Sequence, residues 1–165
     1  MTQVTIDTTN VFHKAYKSST RITCLQGGTR SSKTYSLCQL FIVKALRETG
    51  KVFTICRKTL PALKGSVYRD FIEIAQQTGI YYFAEINKAE LTFQYKNHLV
   101  EFISLDNEMK VRGRKRNICF LNEANEFFLE DFNQLALRTT GKIILDFKIS
   151  KSFKILRKIS FYNNN

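Results

Sequence analysis

The sequence has few acidic residues, only two histidines and one proline, and no long apolar segment. Its 14 Asp and Glu stand against 26 Lys and Arg, and the resulting net charge of +12 favours a phosphate-rich partner. No apolar run approaches the roughly 20 residues of a membrane span, and residues 1–10 lack a signal-peptide pattern, so we expect a cytoplasmic protein without membrane segments. The 165 residues, 13% of them aromatic, are too rich in core-forming side chains for a disordered chain and indicate one folded domain.

The four cysteines do not have the spacing of a metal site. None forms a C-x-x-C pair with another, and the two histidines lie far in sequence from any two of them. Three of them, Cys24, Cys56 and Cys119, lie within short apolar runs, where a free cysteine is commonly a small buried hydrophobic residue. We therefore expect structural cysteines and no zinc site.

The hydrophobic pattern alternates between strands and helices. Strand-length apolar runs occupy residues 21–25, 52–56, 118–121 and 142–147, and helical patterns occupy residues 33–49, 62–77 and 130–137, with Pro61 able to open the second helix. Between Leu91 and Ser104 the period changes to two on either side of a Lys-Asn-His turn, which predicts an antiparallel hairpin. The pattern predicts an α/β fold with a mostly parallel sheet and helices on both faces. Because ligands of such sheets bind at the carboxyl ends of the strands, we expect the site directly after residues 25, 56, 121 and 147.

The first strand and the first helix are joined by a candidate phosphate-binding loop. Residues 27–34, GGTRSSKT, fit the pattern G-x-x-x-x-G-K-[ST] except that Ser32 replaces the second glycine. Glycine lets successive backbone N–H groups point at phosphate oxygens, and the helix N-terminus adds partial positive charge. We expect Lys33 to reach the β- and γ-phosphates of ATP and the Thr34 hydroxyl to bind Mg²⁺. The predicted nucleotide-binding residues are Gly27, Gly28, Thr29, Arg30, Ser31, Ser32, Lys33 and Thr34.

The third strand ends in Asn122-Glu123, where the acidic partner of a phosphate loop is expected. An amide oxygen of Asn122 can accept a hydrogen bond from a metal-bound water but carries no charge, so Mg²⁺ would depend more on Thr34 and on the phosphates. Glu123 has the carboxylate needed to orient and deprotonate an attacking water, and Lys33 would stabilise the transition state. The alternative interpretations are a Gly/Ser-rich turn at the loop and an acidic helix cap after the strand.

A strongly basic segment precedes this third strand. Residues 110–116, KVRGRKR, contain five basic residues in seven. Such a segment can contact DNA phosphates, each contact adding a salt-dependent contribution to affinity, although a solvated loop is an equal alternative. The DNA-binding candidates are Lys110, Arg112, Arg114, Lys115 and Arg116.

Four segments together resemble the N-terminal ATPase domain of phage terminase large subunits, the PBSX-like group in particular. They are residues 25–34 (LQGGTRSSKT), 57–59 (RKT), 110–113 (KVRG) and 120–126 (FLNEANE). The resemblance implies a P-loop NTPase of RecA-like (ASCE) fold that uses ATP and Mg²⁺ to drive double-stranded DNA into a capsid. It also implies a small terminase subunit and a portal as partners, allows a homo-oligomer, and adds Arg30 to Lys33 and Glu123 as a catalytic candidate.

The last residues depart from the family pattern. Family strands of this kind run into an Asn-Pro-Ser turn, whereas here Lys148-Ile149-Ser150 follows, and no acidic residue comes after Asp146. We interpret residues 1–147 as the ATPase domain and residues 148–165 as an aberrant basic tail produced by a frameshift, with the family's C-terminal nuclease domain absent. Downstream DNA that encodes no nuclease-like continuation in any frame would contradict the frameshift.

Two other functions stay open at this point. A helicase-like ATPase shares the same core but needs a second RecA-like domain, and the Asn-Glu-Ala-Asn-Glu run favours terminase over it. A non-catalytic nucleic-acid-binding protein would use the basic residues between Arg112 and Arg116 and would not turn over ATP.

Overall fold

The computed structural model describes residues 5–28, 31–106 and 115–148. The central sheet has seven strands: β1 (Ile22–Gly27), β2 (Val52–Arg57), β3 (Glu85–Asn87), β4 (Thr92–Tyr95), β5 (His98–Ser104), β6 (Arg116–Leu121) and β7 (Thr139–Lys148). The α-helices are α1 (Asn10–Lys17), α2 (Lys33–Arg47), α3 (Leu60–Leu63), α4 (Arg69–Gln77) and α5 (Leu129–Leu137). A π-helical turn, Lys64–Tyr68, joins α3 to α4, and 3-10 turns lie at Ile80–Phe83 and Ala124–Glu126. None of the helices in these described segments is long and apolar enough to cross a membrane.

The strands are arranged in the order β1-β7-β6-β2-β5-β4-β3. The first five strands of this order pair in parallel, and β5, β4 and β3 pair antiparallel. The predicted α/β fold with a mostly parallel sheet and an antiparallel hairpin is therefore confirmed. The hairpin pairs Tyr95 with His98 and turns at Lys96, whose φ of 53° lies in the left-handed region.

The register of the parallel strands brings their carboxyl ends to one edge of the sheet. Leu25 lies beside Asp146, and Leu121 lies beside both Leu145 and Cys56. Because β7 is inserted between β1 and β6, a residue near the end of β7 is adjacent to the residues that follow both neighbours. The edge predicted to hold the site is thus formed by four consecutive strands.

Helices cover both faces of the sheet, as predicted. On one face, α1, α2 and α4 pack on a cluster of buried apolar residues that includes Phe41, Phe53, Phe71, Phe120 and Ile144. On the other face, α5 contributes Phe132 and Leu135 to a second cluster with Cys119, Leu121, Ile143 and Leu145. Since side chains alternate along a strand, Asn122 shares the α2 face with Phe120, and Asp146 shares it with Ile144.

The burial of the three cysteines on strands depends on where each strand lies in the sheet. Cys56 and Cys119 are buried on the neighbouring strands β2 and β6, with their Sγ atoms 3.7 Å apart. Cys24 is exposed, contrary to the expectation from its apolar run, because β1 is an edge strand of the sheet.

Two elements and one irregularity were not predicted. The eight-residue α1 begins after Thr9, whose hydroxyl accepts a hydrogen bond from the N–H of Phe12, and β3 has only three residues. The helix predicted at residues 62–77 begins near Pro61 as expected, but the π-helical turn divides it. Such a turn inserts an extra residue into the helical hydrogen-bond ladder, and it lies beside the end of β2.

Candidate functional site

The loop between β1 and α2 ends in a residue with a left-handed backbone. Ser32, the residue before α2, has φ 54° and ψ 15°, a left-handed conformation that glycine adopts without steric cost. Ser32, which stands where the sequence pattern has its second glycine, thus adopts a conformation that glycine favours. Thr29 and Arg30, two of the predicted nucleotide-binding residues, lie outside the described residues.

The Lys33 side chain lies inside this loop. Its ammonium donates hydrogen bonds to the carbonyl oxygens of Gly27 and Gly28, both at 3.1 Å, and to the Ser31 hydroxyl at 2.7 Å. Only 8% of Lys33 is exposed. A Cβ atom on Gly27 would lie 3.1 Å from Ser31 Oγ and 3.2 Å from Lys33 Nζ, so a glycine at this position leaves the space that the ammonium occupies.

The first turn of α2 contacts a buried carboxylate on β7. The hydroxyl of Thr34 donates to Asp146 Oδ2 at 3.1 Å. Asp146 is only 2% exposed, and this burial raises the pKa of its carboxyl group to about 6, with the nearby charge of Glu123 raising it further and hydrogen bonds opposing the shift. The donors are the Thr34 hydroxyl, the Asn122 side-chain amide at 3.1 and 3.2 Å, and the backbone N–H of Glu123 at 2.7 Å.

The Asn122 amide is held in one orientation by partners on both sides. Its Oδ1 accepts a hydrogen bond from Arg57 Nη1 at 2.8 Å, while its Nδ2 faces Thr34 Oγ1 at 3.1 Å and both Asp146 oxygens. This arrangement does not fit the expectation that the Asn122 oxygen faces a metal-bound water. The oxygen points to a guanidinium, and a donor group points to the site.

Glu123 is the second residue after β6, at the same edge. Its φ of 56° and ψ of 57° put a non-glycine residue in the left-handed region, and such strain is commonly found where a side chain must be held for function. Its carboxylate forms an ion pair with Lys148 at the end of β7, at 3.0 Å, and its side chain is 14% exposed. The acidic residue predicted to act on water is therefore at the rim of the site and accessible from outside.

Arg57, at the end of β2, connects this centre to the neighbouring turns. Its guanidinium donates to both carboxylate oxygens of Glu126, at 3.3 and 3.2 Å, and to the Ser66 hydroxyl at 3.2 Å, in addition to Asn122. A bidentate arginine is rigid, so the ends of β2 and β6 and the π-helical turn are held together. The sequence pattern marked Arg57 only as part of the segment 57–59.

The structure brings together most of the nucleotide-site residues predicted from the sequence. Those assembled at one edge of the sheet are Gly27, Gly28, Ser31, Ser32, Lys33, Thr34, Asn122 and Glu123. Of the DNA-binding candidates, Lys110, Arg112 and Arg114 lie outside the described residues, and Lys115 is exposed. The prediction that Arg116 binds DNA is wrong. Arg116 begins β6 at the opposite edge of the sheet and is only 1% exposed, so it does not present a charge to DNA.

Asp146 is the site residue that the sequence analysis missed. It lies within the strand rather than after it, in the run Ile-Ile-Leu-Asp-Phe, and only the pairing of β7 with β1 brings it to Thr34. One signal was present, since a single acidic residue inside an otherwise apolar strand of a parallel sheet is expensive to bury without a partner.

The oxygen atoms at this edge are suitable ligands for a magnesium ion that also binds phosphates. A hydroxyl and a carboxylate oxygen are ligands that this hard cation prefers, and Mg²⁺ is usually held by one or two carboxylates together with substrate phosphates. Across the described segments, no group of three or more His, Cys, Asp or Glu side chains could hold a metal by itself. A metal here would therefore accompany a nucleotide.

Comparison with solved structures shows the same fold in bacteriophage large terminases. The large terminase of a thermophilic bacteriophage aligns with a TM-score of 0.76 and 14% identity, over 96% of this chain and 44% of that chain. The large terminase ATPase domain of Thermus phage P74-26 aligns with a TM-score of 0.68 and 13% identity, over 86% of this chain and 64% of that chain. The HK97 bacteriophage large terminase aligns with a TM-score of 0.73 and 8% identity, over 94% and 36% of the two chains. Other structures of the first of these proteins, the thermophilic-phage terminase, are complexes with ADP or ATP-γ-S.

The sequence comparison gives the family. This chain spans less than half the length of the thermophilic-phage and HK97 terminases, and identities of this size establish the fold alone. No curated protein sequence shows a significant match. Residues 19–157, however, match the profile of the phage terminase large subunit, and this match runs beyond the predicted domain end at Phe147. With most of its length matched and its phosphate loop and strand ends assembled at one edge, the chain belongs to the phage terminase large subunit family.

Proposed function

We propose that this chain binds and hydrolyses ATP as the motor domain of a phage DNA-packaging terminase. The observation that carries the proposal is the buried Lys33 ammonium inside the loop, one residue from a Thr34 hydroxyl that is hydrogen-bonded to Asp146. The nucleotide complexes of the thermophilic-phage terminase support it, since that protein has the same fold.

Lys33 and the start of α2 would hold the phosphates. In the proposed complex, β- and γ-phosphate oxygens take the place of the Gly27 and Gly28 carbonyl oxygens as acceptors for the ammonium. The N–H groups at the start of the 15-residue α2 add their partial positive charge. Arg30 stays a candidate for further positive charge near the γ-phosphate.

Glu123 would act on the attacking water. Its carboxylate lies at the rim of the site and is held by a strained backbone and by an ion pair with Lys148. A carboxylate in this place can orient the water and accept its proton, while Lys33 stabilises charge that develops on the transferred phosphoryl group.

The implied metal would be held at the first turn of α2. The Thr34 hydroxyl is the ligand that the loop pattern provides, and bound Mg²⁺ would supply neutralisation of phosphate charge. Hydrogen bonds with Asp146 and Asn122 orient that hydroxyl.

Double-stranded DNA is the proposed polymer partner. The net charge of +12 and the exposed Lys115 support contact with phosphates, and Lys110, Arg112 and Arg114 stay candidates for that contact. A small terminase subunit and a portal are proposed from the family resemblance, as is assembly with other copies of the chain.

ATP turnover by the purified chain, measured with and without double-stranded DNA, tests the proposal. We expect Lys33→Ala and Glu123→Gln to lower turnover by at least about 100-fold, the size typical for loss of a positioned catalytic group. Lys14→Ala on the exposed face of α1 and Glu85→Gln on the edge strand β3 are matched controls that should keep wild-type turnover. Turnover that is equal in the wild type and both site variants would reject the proposal that the chain is an ATPase. Salt-sensitive DNA binding in that case would favour a non-catalytic binding protein.

A further inference from the structure

We propose that Asp146 on β7 supplies the metal-binding carboxylate of this site, in the role expected of the residue that ends β6, where this chain has Asn122. The inference rests on the proposed nucleotide binding. Asp146 would hold Mg²⁺ together with Thr34, either directly or through a bound water.

The first reason is the pairing of hydroxyl and carboxylate. The Thr34 hydroxyl donates its proton to Asp146 Oδ2 at 3.1 Å, which turns the oxygen lone pairs of Thr34 away from Asp146 and leaves one of them for a cation. A hydroxyl that donates to a carboxylate is also a better ligand, because the hydrogen bond increases negative charge on its oxygen.

The second reason is that Asn122 cannot take this role in the observed arrangement. Rotating its amide by half a turn would place its NH₂ group against the Arg57 guanidinium and its oxygen against the Asp146 carboxylate. Both contacts would then be repulsive, so the hydrogen-bond partners fix the nitrogen toward the site. An NH₂ group is a donor and does not bind a cation.

The third reason is the charge balance around Asp146. Its three hydrogen-bond donors, a hydroxyl, a side-chain amide and a backbone N–H, are all neutral. Within the described part of the chain, no Lys or Arg forms an ion pair with it, whereas Glu123 and Glu126 each have a cationic partner. A buried carboxylate without a cationic partner is unfavourable when ionised, and a bound divalent cation removes that cost.

The test is the magnesium-dependent gain in affinity for a fluorescent ADP analogue, mant-ADP, titrated in Mg²⁺ and in EDTA. We expect Asp146→Asn to lower that gain by at least about 10- to 100-fold, the usual cost of losing a group that supports a metal ligand, and to leave the affinity in EDTA within about two-fold of wild type. Glu101→Gln is a matched control, because Glu101 is another buried carboxylate that accepts a hydrogen bond from a threonine, Thr54 at 2.5 Å, away from the site. It should keep the wild-type gain.

A double variant that swaps the two side chains tests whether the carboxylate itself is responsible for the magnesium-dependent gain. The double variant Asn122→Asp, Asp146→Asn moves the carboxylate from β7 to β6 at constant charge, and we expect it to recover most of the magnesium-dependent gain. Binding of Mn²⁺ in the presence of ADP, followed by loss of the free-ion electron paramagnetic resonance signal, should weaken in Asp146→Asn and recover in the double variant.

The outcomes separate this inference from the proposed function. A full magnesium-dependent gain in Asp146→Asn overturns the inference and leaves nucleotide binding intact. If wild type binds mant-ADP neither in Mg²⁺ nor in EDTA, the proposed function fails and the inference fails with it. If Asp146→Asn does not fold, Asp146→Ser takes its place, since it removes the carboxylate and keeps a small polar side chain; an unchanged gain in that variant also overturns the inference.

Discussion

Arg57 donates a hydrogen bond to Asn122 across two parallel strands, with Nη1 of the arginine 2.8 Å from Oδ1 of the asparagine. The contact joins residues that are 65 positions apart in the chain, at the ends of β2 and β6. It decides which end of the Asn122 amide faces Thr34 and Asp146. The chemistry of the site thus depends on an arginine that itself lies outside the phosphate loop.

Arg57→Ala should destabilise the fold and release the Asn122 amide. The variant removes a bidentate contact with Glu126 and leaves the buried Asn122 oxygen without its donor, so we expect a loss of about 2–3 kcal/mol in the free energy of unfolding. Urea denaturation measures it. Arg69→Ala is the control, because Arg69 is 69% exposed and its pair with Asp70 is at the surface; equal losses in the two variants would contradict the assigned role of Arg57.

Ser32→Gly should stabilise the chain. Ser32 has φ 54°, and a left-handed conformation is costly for a residue with a Cβ, so the gain should be about 0.5–1 kcal/mol after allowance for the greater freedom of glycine in the unfolded chain. Lys96→Gly, in the hairpin turn at φ 53°, should give a similar gain and leave nucleotide affinity unchanged. Destabilisation by Ser32→Gly would show that the serine side chain makes a contribution larger than its backbone strain.

Gly27→Ala and Gly28→Ala should differ, although the two glycines are neighbours. A Cβ at position 27 would press on Ser31 Oγ and Lys33 Nζ, whereas one at position 28 would meet no atom of the described residues within 4 Å. We expect Gly27→Ala to displace the ammonium, with a loss of about 1 kcal/mol in stability, and Gly28→Ala to be neutral or slightly stabilising. Thermal or urea unfolding of both variants distinguishes them, and equal effects would be inconsistent with the described loop.

His98 should make the fold less stable in mild acid. Its ring is 1% exposed and lies edge-on to Phe53, with ring centroids 4.0 Å apart. Burial lowers the pKa of His98 to about 4; the charge of Glu48 opposes this shift, and the charges of Lys44 and Lys51 add to it. Because the unfolded chain binds this proton more tightly, stability should fall as pH decreases from about 6.5 to about 4.

The comparison variant for this pH effect is His98→Asn. Relative to it, wild type should lose on the order of 2–3 kcal/mol between about pH 7 and about pH 4, followed by urea denaturation at several pH values. Asp146 acts in the opposite direction, because a carboxyl group whose pKa is raised to about 6 binds its proton more tightly when folded. The difference between the two proteins removes that shared contribution, and parallel pH profiles would contradict the role of His98.

The sequence pattern predicted the helices and strands that are determined by their own residues. The strand and helix around the phosphate loop, the hairpin and the helix start at Pro61 follow from spacing, glycine and proline alone. Helix α1 escaped prediction because it is short and is held by packing on α2 through Phe12 and Ala15, a contact that no local pattern reports.

Asp146 and Arg57 could not be placed from the sequence for a different reason. Their roles depend on which strands are neighbours, and the order of parallel strands is set by crossover connections rather than by residue pattern. Asn122 was placed at the correct strand end, but its orientation depends on Arg57, a partner on another strand. The sequence pattern placed Ser32 at the end of the phosphate loop, but its left-handed backbone is known only from the structure.

Strand β7 sets the distance between two parts of the site. Asp146 and Lys148 are two residues apart on one face of the same strand, and they contact Thr34 and Glu123 respectively. The strand rise sets the distance between these two positions at about 6.7 Å, independent of any loop. One rigid segment of backbone therefore sets the spacing between the proposed metal-binding side and the proposed water-activating side of the site, and a slip of β7 along its neighbours would misalign both at once.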